Sequence, residues 1–379
     1  MQDVYITRLS KFLPNELVTN DQMESFLGMI NDTRSKSKAI VLRRNKIEGR
    51  YYAIDESGKM THTNAEMAAN AVRGLFDDQS ELAEVDLITY GTSMPDQMMP
   101  SHAVMVHGHL PETKAIEITS PAGVCCAGMH ALKYAYMSVA MGEKKKAVAG
   151  ASERLSSILR SDQFEEEVQK LIELEEKPYL AFDKDFLRWM LSDGAGAFLL
   201  EPKPNENGPS LKIDWIEAVS YAHEIEPCMY AGSERMEDGS LKSYKDYSPK
   251  ELQEESIMAI KQDVKLLGEN IVRLGFKRFK EIMEERGMSV DEIDYFLPHI
   301  SSFFFQDKIA GFLDDNDMHI PYDRWFTNLD TKGNVGAASI YLMLEELFND
   351  KGLKPGQKVA LVVPESSRFS YVFAMLTVC

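Results

Sequence analysis

Ile118–Lys146 reads ITSPAGVCCAGMHALKYAYMSVAMGEKKK, and the rest of the chain is organised around it. Ile118-Thr119-Ser120 is extended and β-leaning, Pro121-Ala122-Gly123 is a turn, and Cys125-Cys126 follow at once. From there Ala127, Leu132, Ala135, Tyr136 and Val139 recur near a 3.6-residue period, which predicts a helix. Gly142 and Lys144–Lys146 close it, as cations do at a helix C-terminus. A cysteine on a strand-to-helix turn meets unpaired N–H groups and the positive end of the helix dipole. Both favour the thiolate, the nucleophilic form. Cys126 is the expected nucleophile, and Cys125 is read as packing beside it, with the reverse assignment as the alternative.

Working outward, strands and helices alternate on both sides. Val4–Thr7, Asp86–Tyr90, Ala115–Ile118, Lys146–Gly150 and Phe198–Leu200 read as strands, with helices after Thr63-Asn64 and from His102. Asn205–Pro209 is a break rich in Pro, Gly and Asn. Beyond it the order recurs: a strand near Leu211–Ile216, a long helix over Pro249–Arg286, a strand Tyr295–Leu297, a helix from Ala337, and strands Lys358–Val363 and Tyr371–Val378. Two halves are expected, 1–204 and 205–379, each a mixed sheet covered by helices. The charged and aromatic segment 154–188 between two core strands is expected to be a lid or a dimer contact.

The 379 residues carry a net charge of −18, from 42 basic and 60 acidic side chains, which argues against nucleic acid or an anionic membrane as the main partner. Four cysteines without a C-x-x-C pair indicate neither a disulfide framework nor a zinc site. No signal peptide and no apolar run long enough to span a membrane is visible, so the chain reads as cytoplasmic. Asp193-Gly194-Ala195-Gly196-Ala197 lacks the third glycine and following helix of a dinucleotide loop. The basic run Arg43–Tyr52 is either a solvated loop or a grip on an anionic carrier or cofactor tail.

Two further residues join the cysteine pair. His299 follows Pro298 at a strand end, and Asn334 lies between Gly333 and Gly336, where backbone can approach a ligand closely. Singly, each has a bland reading, a core histidine and a turn asparagine. Together with a turn cysteine they suit acyl transfer: a thiol to hold an acyl group and two N–H donors facing a second carbonyl.

Cys126-Ala127-Gly128, Leu297-Pro298-His299, Gly333-Asn334 through Ala337-Ala338-Ser339, and Ser192–Ala197 occur in the order and spacing of ketoacyl synthase III, which the chain resembles over nearly its whole length. The resemblance implies a thiolase-like five-layer αβαβα fold of two similar halves and a homodimer. It implies acyl transfer to Cys126, then carbon–carbon bond formation with His299 and Asn334 stabilising a thioester enolate. Substrates would be thioesters of coenzyme A or acyl carrier protein, with no metal or other cofactor. Carrier docking would fall to Lys144, Lys145, Lys277 and Arg278, since an acidic enzyme needs local basic patches for an acidic carrier.

Where the family has Gln-Ala-Asn after its histidine, this chain has Ile300-Ser301-Ser302, and its glycine-rich loop is replaced by Glu365-Ser366-Ser367-Arg368-Phe369. With RRNKIEGRYY, these departures are most similar to condensing enzymes that form dialkylresorcinols, implying that two β-ketoacyl thioesters are joined and cyclised. That reaction needs a base, for which His299 and Glu153 are candidates; Arg368, Ser367 and Phe303 are candidates for holding substrate. The alternatives are a ketoacyl synthase III condensing an acyl-CoA primer with malonyl carrier protein, an acyl-transferring or hydrolysing enzyme, and a non-catalytic partner subunit of a synthase pair.

Overall fold

The computed structural model describes residues 1–29, 34–35, 38–161, 187–255 and 257–379. Nine strands pair into one sheet: β1 (Tyr5–Phe12), β2 (Leu87–Gly91), β3 (Glu117–Thr119), β4 (Ala147–Glu153), β5 (Gly194–Glu201), β6 (Leu211–Ser220), β7 (Tyr295–Pro298), β8 (Lys358–Glu365) and β9 (Ser370–Val378). Their order is β7-β8-β9-β6-β1-β5-β4-β2-β3. The main helices are α1 (Asn64–Arg73), α2 (His102–Gly108), α3 (Ala127–Ala140), α4 (Val264–Glu285), α5 (Phe304–Asp314) and α6 (Ser339–Asp350).

The order hides a repeat. From the seam outward, β1-β5-β4-β2 and β6-β9-β8-β7 run through the same antiparallel, antiparallel, parallel pairings. β3 completes the first set; in the second, a parallel bridge from Phe296 to Trp325 stands in its place. Among the described residues, the two sets join into one sheet where Tyr5 and Ile6 of β1 pair with Lys212 and Leu211 of β6.

Strand alternation builds the layers. Val359, Leu361 and Val363 of β8 face the same core as Ala147, Ala149 and Ala151 of β4, and α3 and α6 fill that space. Ala360 and Val362 face outward onto α4 and α5, while Ala195, Ala197 and Leu199 of β5 face outward onto α1 and α2. The result is helices, sheet, helices, sheet, helices: the five-layer αβαβα arrangement of two similar halves. α6 is buried along nearly all of its length because it lies in the middle layer, sheathed by both sets of strands. Its crossing with α3 is close; a Cβ on Gly128 would lie 2.6 Å from the carbonyl oxygen of Ala337. The Tyr341 hydroxyl donates across that crossing to the carbonyl of Gly128 at 2.8 Å.

Two expectations are corrected here. The helix expected over Pro249–Arg286 is broken: a short helix, Pro249–Glu254, is followed by the strand Lys261–Gln262, and α4 starts only where Asp263 accepts from the Leu266 amide as its N-cap. The run Arg43–Tyr52 is neither of the things expected of it throughout. Arg43 and Arg44 are exposed at a helix end, but Arg50 is fully buried, donating to Asn20 Oδ1 at 2.7 Å. Residues 162–186 of the segment 154–188 lie outside the described residues. No described helix is long and apolar enough to cross a membrane.

Candidate active site

The repeat brings the ends of β2, β3 and β7 and the N-terminal ends of α3 and α6 to one place, and a cavity of about 620 Å³ opens there. Such a volume suits a small-molecule ligand. Cys125, His299 and Asn334 all line it. Its far wall comes from α4 (Leu267, Ile271, Phe276) and its roof from short strands around Met229–Tyr230 and Lys261–Gln262.

His299 is placed by strand pairing: its amide donates to the carbonyl of Val362 on β8 at 2.8 Å, one step past β7. The side chain is buried, Nε2 has no protein partner, and burial lowers its pKa to about 4, so the ring is neutral near pH 7. Asn334 is held by its backbone, donating to Met190 O and accepting from Ser192 N, both at 2.9 Å. Its Oδ1 accepts from the Gly336 amide at 3.0 Å, which leaves Nδ2 as the donor end toward the cavity.

The cysteine pair is where sequence and structure part. Cys126 is the N-cap of α3 and has no exposed surface. Its Sγ lies 3.3 Å from the carbonyl of Val363 and 3.7 Å from that of Ser370, in the core between the strand sets and off the cavity wall. The expectation that a helix start favours thiolate is also overturned. Cys126 supplies no side-chain cap, and the carboxylate of Glu365 fills that role from the other half, accepting from Val124 N at 2.8 Å and Cys126 N at 3.0 Å. Burial first, and the Glu365 charge second, push both thiols above the usual cysteine range. Each rests as a thiol.

Glu153 does not reach the cavity wall. It is fully buried, with Oε1 accepting from Ser93 N at 2.9 Å and Ala337 N at 3.2 Å, and Oε2 accepting from the hydroxyls of Ser93 at 2.7 Å and Thr92 at 3.2 Å. The carboxylate is a tie between the end of β2 and the start of α6, with its acceptor sites used. Gly336, at φ +51°, is held against it; a Cβ there would lie 3.1 Å from the Glu153 side chain. Burial raises Glu153 from 4.5 to about 7. The folded chain therefore keeps a proton there that the unfolded chain has lost, so stability is full below pH 4.5 and falls as pH rises to about 7, by on the order of 3 kcal/mol. Glu153→Gln keeps Oε1 for the two amides and turns its Nε2 toward the two hydroxyls. It is expected to flatten denaturation midpoints between pH 5 and 8 while leaving product formation near wild type. Loss of product with an unchanged pH profile would restore Glu153 as a base.

The other expected substrate and carrier residues are also relocated. Arg368 is exposed and donates to the carbonyl of Ile225 at 3.2 Å. The hydroxyl of Ser367 donates to Glu365 Oε1 at 2.8 Å, and its neighbour Ser366 lines the cavity instead. Phe303 packs beneath Lys46, while Phe305 faces the cavity, because 303 and 305 lie on different sides of the start of α5. Lys144 is paired to Glu117 at 2.8 Å, and Lys144 and Lys145 sit past the far end of the 14-residue α3, about 21 Å from the cysteines. Arg278 is engaged by Glu217, Glu281 and Glu285, and Lys277 lies 3.9 Å from Glu281.

The roof and Glu365 are what sequence reasoning missed. Tyr230, Leu241 and Tyr244 line the cavity from a stretch given no element above, and Met258 and Ile260 line it from within the expected helix Pro249–Arg286; their apolar spacing within a polar stretch was the available signal. Among the described residues, no group of three or more His, Cys, Asp or Glu is placed to hold a metal ion.

Residues 283–363, which include His299 and Asn334, match the family model for the C-terminal part of 3-oxoacyl acyl-carrier-protein (ACP) synthase III. The chain is 25% identical over 367 residues to β-ketoacyl acyl-carrier-protein synthase III of Clostridium perfringens strain SM101, covering 96% of this chain and 95% of that protein. It is 26% identical to the protein of the same name from Bordetella petrii, covering 92% and 90%. Among solved structures, a tetronic acid condensing enzyme superposes with a TM-score of 0.74 at 20% identity over 98% of this chain and 99% of that one. OleA of Xanthomonas campestris with bound lauric acid and lauroyl-CoA superposes with a TM-score of 0.74 at 17% identity over 99% of both chains. The fold is the five-layer thiolase-like fold of these solved structures, and over nearly its whole length the chain is similar to the ketoacyl synthase III enzymes.

Proposed function

We propose that this enzyme joins two β-ketoacyl thioesters, carried by coenzyme A or acyl carrier protein, through an acyl-cysteine, and that the product cyclises to a dialkylresorcinol precursor. The observation that carries the reading is the meeting of a turn cysteine, an unpartnered neutral His299 and the Asn334 amide on one cavity whose remaining walls are largely apolar. The thiol takes an acyl group, and the alkyl tail lies under the roof. The α-carbon of the second β-ketoacyl group, acidified by two flanking carbonyls, loses a proton and attacks the cysteine-bound carbonyl. The bond from that carbonyl to the cysteine sulfur breaks as the new carbon–carbon bond forms, and the proton lost from the α-carbon ends on the released sulfur as a thiol. His299 and Asn334 are the cavity groups suited to hold the enolate oxygen as charge develops on it. No metal or further cofactor enters the scheme.

The relatives named β-ketoacyl acyl-carrier-protein synthase III favour a second reading, extension of an acyl primer by a malonyl group. Against it, no Lys, Arg, Asp or Glu lines the cavity among the described residues, so a neutral β-ketoacyl donor meets a better-matched wall than a malonyl carboxylate does. Incubating the protein with 3-oxoacyl-CoA alone, and separately with acyl-CoA plus malonyl carrier protein, and analysing products by mass spectrometry decides between them. A coupled or ring product from the first mixture is expected. Extended chains only in the second mixture would establish the malonyl reading, and free acid alone would make the protein a hydrolase.

A further inference from the structure

We infer that Arg50 is a positioning residue for the carbon–carbon bond-forming step: a buried cation without a carboxylate partner, set behind Asn334 to favour the enolate that Asn334 faces. The inference rests on the reading of the chain as a condensing enzyme and adds a residue that lies off the cavity wall.

Arg50 ends the two-residue strand Gly49–Arg50 and has no exposed surface. A guanidinium keeps its charge inside a protein, and burying that charge is costly unless a counter-charge or a full set of acceptors meets it. Arg50 has neither. Its Nη1 donates to Asn20 Oδ1 at 2.7 Å and its Nη2 to the carbonyl of Trp189 at 3.4 Å, while Nε has no partner. Burial pulls its pKa below the usual 12.5, and the titratable group acting on it is the Tyr52 phenol, itself unpartnered and held neutral by burial. Asp193 acts on Tyr52, but its oxygens are engaged by the amides of Ala53, Leu155 and Ser156, and it is absent from the groups acting on Arg50. The result is an uncompensated positive charge in a medium that screens it weakly.

The segment that Arg50 touches is the one that holds Asn334. Trp189 O accepts from Arg50, and next to it Met190 O accepts from the Asn334 amide at 2.9 Å. Gly333, at φ +70°, packs directly on Arg50; a Cβ there would lie 3.2 Å from the Arg50 Cβ. The Glu48 amide donates to Asp330 O at 2.8 Å and the Tyr51 amide to Ser192 Oγ at 2.9 Å, so the residues flanking Arg50 are fastened to both sides of the Asn334 turn. Asn334 and His299 offer the enolate neutral groups, and among the described residues no Lys or Arg lines the cavity. A cation fixed behind the wall favours negative charge at Asn334 without meeting water or substrate. Glu153, at the far end of the same loop, is raised to about 7 by burial, so near neutrality it offsets that charge only in part.

The test compares Arg50→Met, which keeps the stem and removes the charge, with Arg50→Lys, which keeps the charge. Each intact chain receives 3-oxooctanoyl-CoA. Cysteine acylation is read by intact mass, condensed product by chromatography and stability by urea midpoint. Arg50→Met is expected to lower condensed product about 10- to 100-fold while single-turnover acylation stays within about twofold of wild type. Its midpoint is expected at or above wild type, because an unpaired buried charge has been removed. Arg50→Lys is expected to recover most of the product. Undiminished product in Arg50→Met overturns the inference and leaves the condensing reading standing. So does an equal loss of product in both variants with lowered midpoints, which marks an arginine that only holds the fold. A wild-type chain that forms no condensed product overturns both.

Discussion

Asn334→Asp is expected to lower formation of the condensed product by about two to three orders of magnitude while the cysteine still takes up its acyl group. The substitution keeps the shape and the acceptor oxygen that the Gly336 amide needs, so the loop before α6 stays in place. What it removes is the N–H donor, and it sets an anion where a negative charge has to develop. Asn334→Ala removes the donor too, but also orphans the buried Gly336 N–H, at a cost of about 1–3 kcal/mol in stability. The pair of variants therefore separates chemistry from folding. Single-turnover acylation by intact mass and product yield by chromatography are the readouts. Equal losses in acylation and in product would mean that Asn334 helps bind the first substrate rather than stabilise the second step.

The largest effect on stability is expected away from the cavity, at Asp193. This carboxylate is fully buried at the start of β5 and holds two other segments against it at once. Oδ1 accepts from Leu155 N at 2.6 Å and Ser156 N at 2.8 Å, while Oδ2 accepts from Ala53 N at 2.6 Å and from the Ser156 hydroxyl. Asp193→Ala would leave these donors buried and unsatisfied, and about 3–5 kcal/mol of stability is expected to go with them. Asp193→Asn is expected to fail as well, since its amide N–H would face the N–H of Ala53. Ser156→Ala, which removes one donor together with its need, should cost only about 1 kcal/mol. Urea denaturation of the three variants checks the ranking; an Asp193→Ala midpoint close to that of Ser156→Ala would show that water reaches the site and satisfies the amides.

The residues most legible in the sequence were those whose position follows from backbone punctuation. His299 after a strand-ending proline and Asn334 between glycines both line the cavity, because strand pairing and turn geometry set where they point. The repeat of strand and helix units was legible for the same reason: periodicity survives when identity does not. The different settings of the two cysteines were not legible, because adjacent residues share every local signal and the packing of β8 and β9 against the turn comes from far along the chain. Glu153 and Arg368 went astray for a related reason. A charged residue near a strand end is equally consistent with a site and with a tie, and its partners, Ala337 and Ile225, lie far along the chain. The basic clusters were misread because a helix surface of mixed charge pairs internally, as Arg278 does with Glu281 and Glu285.

The ties across the seam make each half depend on the other. The cysteine pair comes from the first half, His299 and Asn334 from the second, and the groups that fix them cross over: Glu153 of the first half grips the start of α6, and Glu365 of the second grips the cysteine turn. Neither half supplies all of Cys125, His299 and Asn334, so neither half alone can assemble the cavity wall. Drift in one half is still answerable to the other, because a change at either glutamate is felt on the opposite side of the seam.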